Sequence, residues 1–293
     1  MTRSAPTIPP PHPAPRIPSF RLPPGACDTH CHVFGPDRLY PYVPERPYTP
    51  PDAPLDMLRG FHDRMGVDRA VLVNATPHGR ENRVVTDAIA TDPDRYRGVG
   101  NVDEGFDDAE LRRLADAGIV GCRFTFIPRL GKAPDLDMLD RIARRIAPLG
   151  WHVDLYLPAS ALADVGARLA ALPVPYVLDH MGVVGAAGGT DHADFKALLA
   201  QVRRDPKARV KVTCPERITA AGAPYADVAP FGRALVETAG DRVLWGTDWP
   251  HPNVPAMPDD GDLVDLVPLM APTPELQRLL LVENPARFFG FPP

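Results

Sequence analysis

Eight short runs rich in aliphatic and β-branched residues recur along the chain at a steady spacing. They are 26–34 (ACDTHCHVF), 69–76 (RAVLVNAT), 97–103 (RGVGNVD), 121–127 (GCRFTFI), 152–157 (HVDLYL), 176–181 (YVLDHM), 209–215 (RVKVTCP) and 242–248 (RVLWGTD). Helix-compatible stretches separate them, including 80–92, 107–117, 135–147, 193–204 and 230–239. Parallel strands need a long crossover, and a helix supplies it, so the alternation implies βαβ units. Eight such units in about 250 residues match a (β/α)8 TIM barrel. An open doubly wound sheet is the rival, but no GxGxxG opens a helix after the first strand.

Composition narrows what such a barrel does. A hydrophobic content of 44% supports a real core, and a formal net charge of −5 leaves no basic footprint for nucleic acid. No apolar run approaches the ~20 residues of a membrane span, and the N-terminus lacks a signal-peptide apolar region. The four cysteines (Cys27, Cys31, Cys122, Cys214) form no CxxC pair, and Cys27 and Cys31 sit too far apart on an extended strand to bridge. A reducing cytoplasm is the expected location. Residues 1–24 are dominated by proline and are expected to be extended or disordered, as a loose tail or as an arm that wraps a partner subunit. Residues 25–293 then form one catalytic barrel. Nothing in the sequence specifies an oligomeric state.

Active sites of such barrels lie at the C-terminal ends of the strands. In "CDTHCHVFGP", strand alternation sends His30 and His32 to one face with Asp28 beside them, and Cys27 and Cys31 to the other. The other strand ends supply Thr76 and His78, Arg123, Tyr156, His180, Arg217 and Asp248, so seven of the eight strands deliver polar side chains to one rim. His12, His62, His152 and His192 fall away from that rim and are expected at the surface or in helices. Trp245 and Trp249 flank Asp248, either raising its basicity by desolvation or simply packing. His251 is a neighbour of Asp248 or a turn residue.

Three arginines are candidates for one pocket: Arg123 and Arg129 in "RFTFIPR", and Arg217 in "CPERI". Arginine holds a carboxylate through a planar fork of N–H donors. A protein of negative net charge that turns several arginines to its mouth is built for an anion. Taken singly, Arg129 and Arg217 fit surface salt bridges equally well, whereas Arg123 interrupts an apolar strand.

The HxH, "GCRFTFIPRL", "VLDHMG", "VTCPERI" and "WGTDWPHPN" together resemble the amidohydrolase superfamily, in its amidohydrolase-2 branch, from about Pro24 to Phe288. The resemblance is to the lactonases of that branch. It implies an amidohydrolase-type TIM barrel that hydrolyses a cyclic ester. Asp248 is then the general base, with His30, His32 and His180 polarising the carbonyl. Arg123, Arg129 and Arg217 grip a small dicarboxylate, and Tyr48, Thr76, His78 and Tyr156 complete the pocket. Metal-binding relatives usually add a Lys or Glu on the fourth strand or a His on the fifth. Here Arg123 and Tyr156 stand at those strands, and a guanidinium repels a cation rather than ligating it. No cofactor is therefore expected. The alternative is one zinc held by His30, His32 and Asp248 with a water. The alternative activities are a lactonase for a sulfonated substrate, a metal-dependent decarboxylase of the same branch, or a binding module without chemistry. The Gly-rich loop 182–189 after His180 lacks the basic residue the resemblance leads one to expect there.

Overall fold

The computed structural model describes residues 5–131 and 133–292, so residues 1–4 of the proline-rich arm lie outside the description. Eight parallel strands follow one another in sheet order: β1 (Cys27–Cys31), β2 (Arg69–Val73), β3 (Tyr96–Gly100), β4 (Ile119–Thr125), β5 (His152–Tyr156), β6 (Tyr176–Leu178), β7 (Ala208–Val212) and β8 (Val243–Trp245). Helices α1 (Leu55–Met65), α2 (Arg83–Thr91), α3 (Asp108–Asp116), α4 (Leu136–Ile146), α5 (Leu162–Ala171) and α6 (Ala193–Arg204) occupy successive crossovers. After β7 come α7 (Pro215–Ile218) and α8 (Ala229–Ala239). After β8 come α9 (Asp260–Asp265), α10 (Val267–Met270), α11 (Pro274–Arg278) and α12 (Asn284–Phe289). This is the (β/α)8 TIM barrel anticipated from the strand spacing. Helix α4 illustrates the local logic: Leu139, Ile142, Ala143 and Ile146 recur on one buried face, and the Asp135 side chain accepts the Asp137 N–H at its start.

Most strands end earlier than their apolar runs, because residues such as His32, Thr76 and Asp248 leave the sheet to build the mouth. Helices α1 and α5 were not among the expected helical stretches; each carries an interior glycine, Gly60 or Gly166, that weakens the helical signal.

The register of β1 against β2 shifts between Asp28 and Cys31, where three steps on β1 oppose two on β2. This bulge reverses the alternation. Cys27 joins Val71, Val73, Val99, Val177 and Leu244 in the lower lumen, whereas Cys31 packs outside with Ala70 and Leu72. Asp28 likewise faces outward, its Oδ2 accepting from His62 Nε2 of α1 at 3.3 Å. The expectation that Asp28 stands beside His30 and His32, with Cys27 and Cys31 together, is corrected. His62 lies in helix α1, one of the two places expected for it, with its side chain buried, whereas His152 is buried on β5 rather than at the surface or in a helix. All four cysteines are free.

The β1 and β8 edges are joined by bonds at their ends. Asp248 N–H donates to the His30 carbonyl and His32 N–H to the Trp249 carbonyl, each at 2.7 Å. Asp28 Oδ1 accepts the Thr247 N–H at 3.0 Å, and Thr29 Oγ1 donates to the Trp245 carbonyl at 2.8 Å. A Cβ on Gly246 would lie 2.7 Å from the His30 backbone nitrogen, so only glycine permits this approach. Gly246→Ala is expected to cost about 1–3 kcal/mol of stability through overpacking. Urea unfolding measures it, and an unchanged midpoint would mean the seam is not tight.

The described arm is extended and strapped to its own barrel rather than loose. Arg16 pairs with Asp262 and Asp265 at 2.7 Å, and the Arg16 backbone N–H donates to Asp259 Oδ1 at 3.0 Å. Among the described residues no helix is long and apolar enough to cross a membrane.

Candidate active site

At the C-terminal mouth, His30, His180 and Asp248 bring their ligand atoms within 4.8 Å of one another, all buried. Three strand ends reach these positions through left-handed backbone: His180 (φ 53°), Cys214 (φ 57°) and Asp248 (φ 66°). Such conformations cost of order 1–3 kcal/mol each in non-glycine residues and cluster where function demands them.

Asp248 is the hub. Its Oδ2 accepts from Arg217 Nη2 at 2.6 Å, and its Oδ1 lies 3.2 Å from His32 Nε2 and 3.5 Å from His30 Nε2. Burial pushes the carboxyl up, but Arg217 and the His32 contact outweigh it and hold Asp248 well below the usual carboxylate range. Burial therefore acts in the direction expected of its tryptophan neighbours without setting the net shift. Trp249 instead stacks on Phe61, ring centroids 5.6 Å apart. His251 turns away from the mouth to donate to Asp260 Oδ1 at 2.9 Å; burial lowers its pKa, yet Asp260 raises it to about 8.

The three imidazoles are not equivalent donors. His32 Nδ1 contacts the Val73 carbonyl at 2.7 Å. A carbonyl only accepts, so Nδ1 carries a proton, and the Nε2 contact with Asp248 is a hydrogen bond when a proton also lies between those two groups. His180 Nε2 accepts from Arg123 Nη2 at 3.3 Å while Nδ1 donates to Thr213 Oγ1 at 2.7 Å. Burial, His30 and Arg123 keep His180 neutral, its pKa well below the ordinary value. His30 Nε2 alone of the three inner nitrogens has no hydrogen-bond partner.

Arg123 and Arg217 are turned inward and already paired. Arg123 Nε donates to Asp179 Oδ2 at 3.0 Å, and its guanidinium lies 5.1 Å from the Tyr156 ring centre. Arg217 also donates to the Pro252 carbonyl at 2.7 Å. Arg129 is exposed and donates to Tyr156 Oη at 3.3 Å. Tyr48 is buried within electrostatic reach of all three arginines and Asp248, and burial raises its pKa. Thr76 and Arg123 line a cleft of about 360 Å³ with Asn101, Thr125 and Met138, so Arg123 separates this opening from the buried cluster. Larger cavities of about 410 and 560 Å³ lie at the opposite barrel end and beneath the arm, away from this chemistry. His78 is set apart: it is buried between Phe34 and Tyr42, and burial lowers its pKa to about 4.

Sequence reasoning missed Lys211, Asp154 and Asp179. All three are fully buried, with Lys211 Nζ 2.5 Å from Asp154 Oδ2, 3.2 Å from Asp179 Oδ1 and 3.1 Å from His30 Nδ1. The signal was present: a charge between aliphatic neighbours, as in "RVKV" and "HVDLY", is what singled out Arg123.

A family model described as Amidohydrolase matches residues 27–291. The chain belongs to the amidohydrolase family. This amidohydrolase is 47% identical over 284 residues to the 2-pyrone-4,6-dicarboxylate hydrolase of Comamonas testosteroni, covering 94% of this chain and 93% of that protein. It is 40% identical to a 4-sulfomuconolactone hydrolase of Rhizobium radiobacter, covering 93% and 92%. A crystal structure from Acinetobacter baumannii, described as a probable 2-pyrone-4,6-dicarboxylic acid hydrolase with citric acid bound, superposes with a TM-score of 0.80 at 25% identity, covering 91% of this chain and 100% of that one.

A zinc ion, the alternative the sequence leaves open, meets an unfavourable set of neighbours in this cluster. Lys211, Arg123 and Arg217 already pair with Asp154, Asp179 and Asp248, and Arg217 also lies 3.6 Å from the buried Glu216. A dication would have to be desolvated among three buried cations. It would also have to displace Arg123 from His180 Nε2 and Arg217 from Asp248, and neither guanidinium can act as a ligand.

Proposed function

We propose that this amidohydrolase opens the lactone of 2-pyrone-4,6-dicarboxylate to 4-oxalomesaconate, in the catabolism of lignin-derived aromatic acids, without a metal. The observation that carries this reading is the buried Asp248 carboxylate, kept ionised by Arg217 and set 3.2 Å from His32 and 3.5 Å from His30. Lactone hydrolysis is also the activity in the names of the relatives at 47% and 40% identity.

The substrate carboxylates bind Arg123, Arg129 and Arg217. Arg217 exchanges Asp248 for a substrate carboxylate, which releases the base from the cation that suppresses it. Asp248 takes a proton from water as the hydroxide forms its bond to the lactone carbonyl carbon. The oxyanion that develops there is met by His30 Nε2–H, and a donor of this kind is worth roughly 10²–10³ in kcat. Collapse breaks the ring C–O bond and expels a conjugated enolate, to which the proton on Asp248 returns. His32, whose Nε2 lies 3.2 Å from Asp248 Oδ1, can share that proton with Asp248 in between.

The test is the loss of pyrone ultraviolet absorbance when chelator-treated protein meets 2-pyrone-4,6-dicarboxylate. Full activity is expected, and added zinc should bring no gain. Activity that appears only with zinc points to the decarboxylase type of site. Preference for 4-sulfomuconolactone would keep the chemistry and change the substrate.

A further inference from the structure

The lumen of the barrel holds an ammonium that the reaction scheme above does not use. Lys211, Asp154, Asp179 and His30 are all fully buried. An ammonium has three N–H donors and no acceptor. Three acceptors surround Nζ: Asp154 Oδ2 at 2.5 Å, Asp179 Oδ1 at 3.2 Å and His30 Nδ1 at 3.1 Å. His30 and Asp154 meet hydrogen-bond geometry with Nζ, and Asp179 pairs with it by charge.

We propose that Lys211 is a positioning residue: by donating to Nδ1 of His30 it locks the imidazole in the tautomer whose proton sits on Nε2, facing the reacting atoms beside Asp248. The inference rests on the lactonase reading for its purpose, but not for its geometry. Nδ1 has one competing neighbour, Asp179 Oδ1 at 3.4 Å, which would call for a proton on Nδ1 instead. That oxygen lies outside hydrogen-bonding geometry with the ring, whereas the Lys211 contact meets it. The same ammonium resists a second proton on the ring. Burial first, and Lys211 next, lower His30 to a pKa of about 4. Lys211 itself stays charged: burial lowers its pKa, but Asp154 and Asp179 raise it further.

The consequence is a donor held ready and unsatisfied. His30 Nε2 is buried without a partner in the free protein, so its N–H is satisfied only when an acceptor forms next to it. An interaction made in the transition state and not before it accelerates the step. The polarity is also the reverse of a metal site. A metal-bound histidine normally donates its outer N–H to a carboxylate or carbonyl, which leaves the inner nitrogen's lone pair for the ion. Here the outer partner is a cation, and the inner nitrogen carries the proton.

The experiment is a long-range ¹H–¹⁵N correlation spectrum of wild-type protein labelled with ¹⁵N-histidine, with His30 assigned by the signal lost in His30→Gln. The expected pattern is a protonated Nε2 and a bare Nδ1, unchanged through the neutral pH range. A proton on Nδ1, or an imidazolium, overturns the proposal without any variant having to fold. A double variant, Lys211→Met with Asp154→Asn, removes the ammonium together with one carboxylate it would strand. Its kcat should fall about 10²-fold with KM within about twofold, and its His30 pattern should move to Nδ1–H. A double variant that keeps both kcat and the Nε2–H pattern also overturns it. Asp248→Asn separates the two ideas, because a fully active Asp248→Asn protein would end the lactonase mechanism and leave the tautomer result standing.

Discussion

Asp248→Asn is expected to lower kcat for 2-pyrone-4,6-dicarboxylate by about 10³-fold, the scale on which a positioned general base contributes. Binding should survive or tighten. The amide cannot take a proton from water, but it also no longer holds Arg217 through a charged bond, the 2.6 Å contact in the wild type. Arg217 is then free for the substrate carboxylate from the outset. Steady-state kinetics gives kcat, and calorimetry with the unreacted dicarboxylate gives affinity. A variant with near wild-type kcat would remove Asp248 from the role of base. One that lost binding as severely as turnover would make it a structural residue.

Arg217→Met is expected to act twice. Its first effect is on KM, which should rise by about 10²-fold, as a charge-assisted hydrogen bond to a buried carboxylate is worth on the order of 1.5–3 kcal/mol. Its second effect is on pH dependence. In the wild type, burial raises the Asp248 carboxyl while Arg217 and His32 hold it well below the usual range, so the base stays ionised throughout mild acid. Without Arg217, burial is less opposed and the pKa rises, so the acid limb of kcat/KM should move to higher pH. Stability follows the same sign. A carboxyl whose folded pKa is depressed stabilises the fold above its unfolded value, near 3.9, and loses that contribution as pH falls through the folded value. Arg217→Met should therefore unfold more readily at neutral pH, because it leaves a buried charge unpaired. An unchanged KM would take Arg217 out of the pocket, and an unmoved acid limb would mean it does not tune Asp248.

The barrel was legible because its signal is repetitive. Eight aliphatic runs in order leave little choice of topology, and the strand ends then nominate His30, His32, Arg123, His180, Arg217 and Asp248 without further information. What was not legible is who pairs with whom. Strand alternation placed Asp28 with the imidazoles, but one extra residue in β1 turned it outward onto His62 and Thr247. A bulge shifts parity without leaving a mark in composition. Sequence alone leaves Arg129 and Arg217 equally suited to the pocket and to surface salt bridges, and gives Arg123 no partner. In the free protein Arg123 and Arg217 already hold Asp179 and Asp248, contacts between residues 56 and 31 positions apart. Lys211 went unnoticed because its partners, Asp154 and His30, come from two other strands, 57 and 181 residues away.

The measurement that bears most directly on carboxylate-driven, metal-free hydrolysis is a single turnover by chelator-treated protein in H₂¹⁸O. General-base attack by water places one ¹⁸O in the newly formed product carboxylate in that first turnover and leaves Asp248 unlabelled. A first-turnover product without ¹⁸O, with the label found in Asp248 instead, would mean that the carboxylate attacks the lactone itself and would contradict the account.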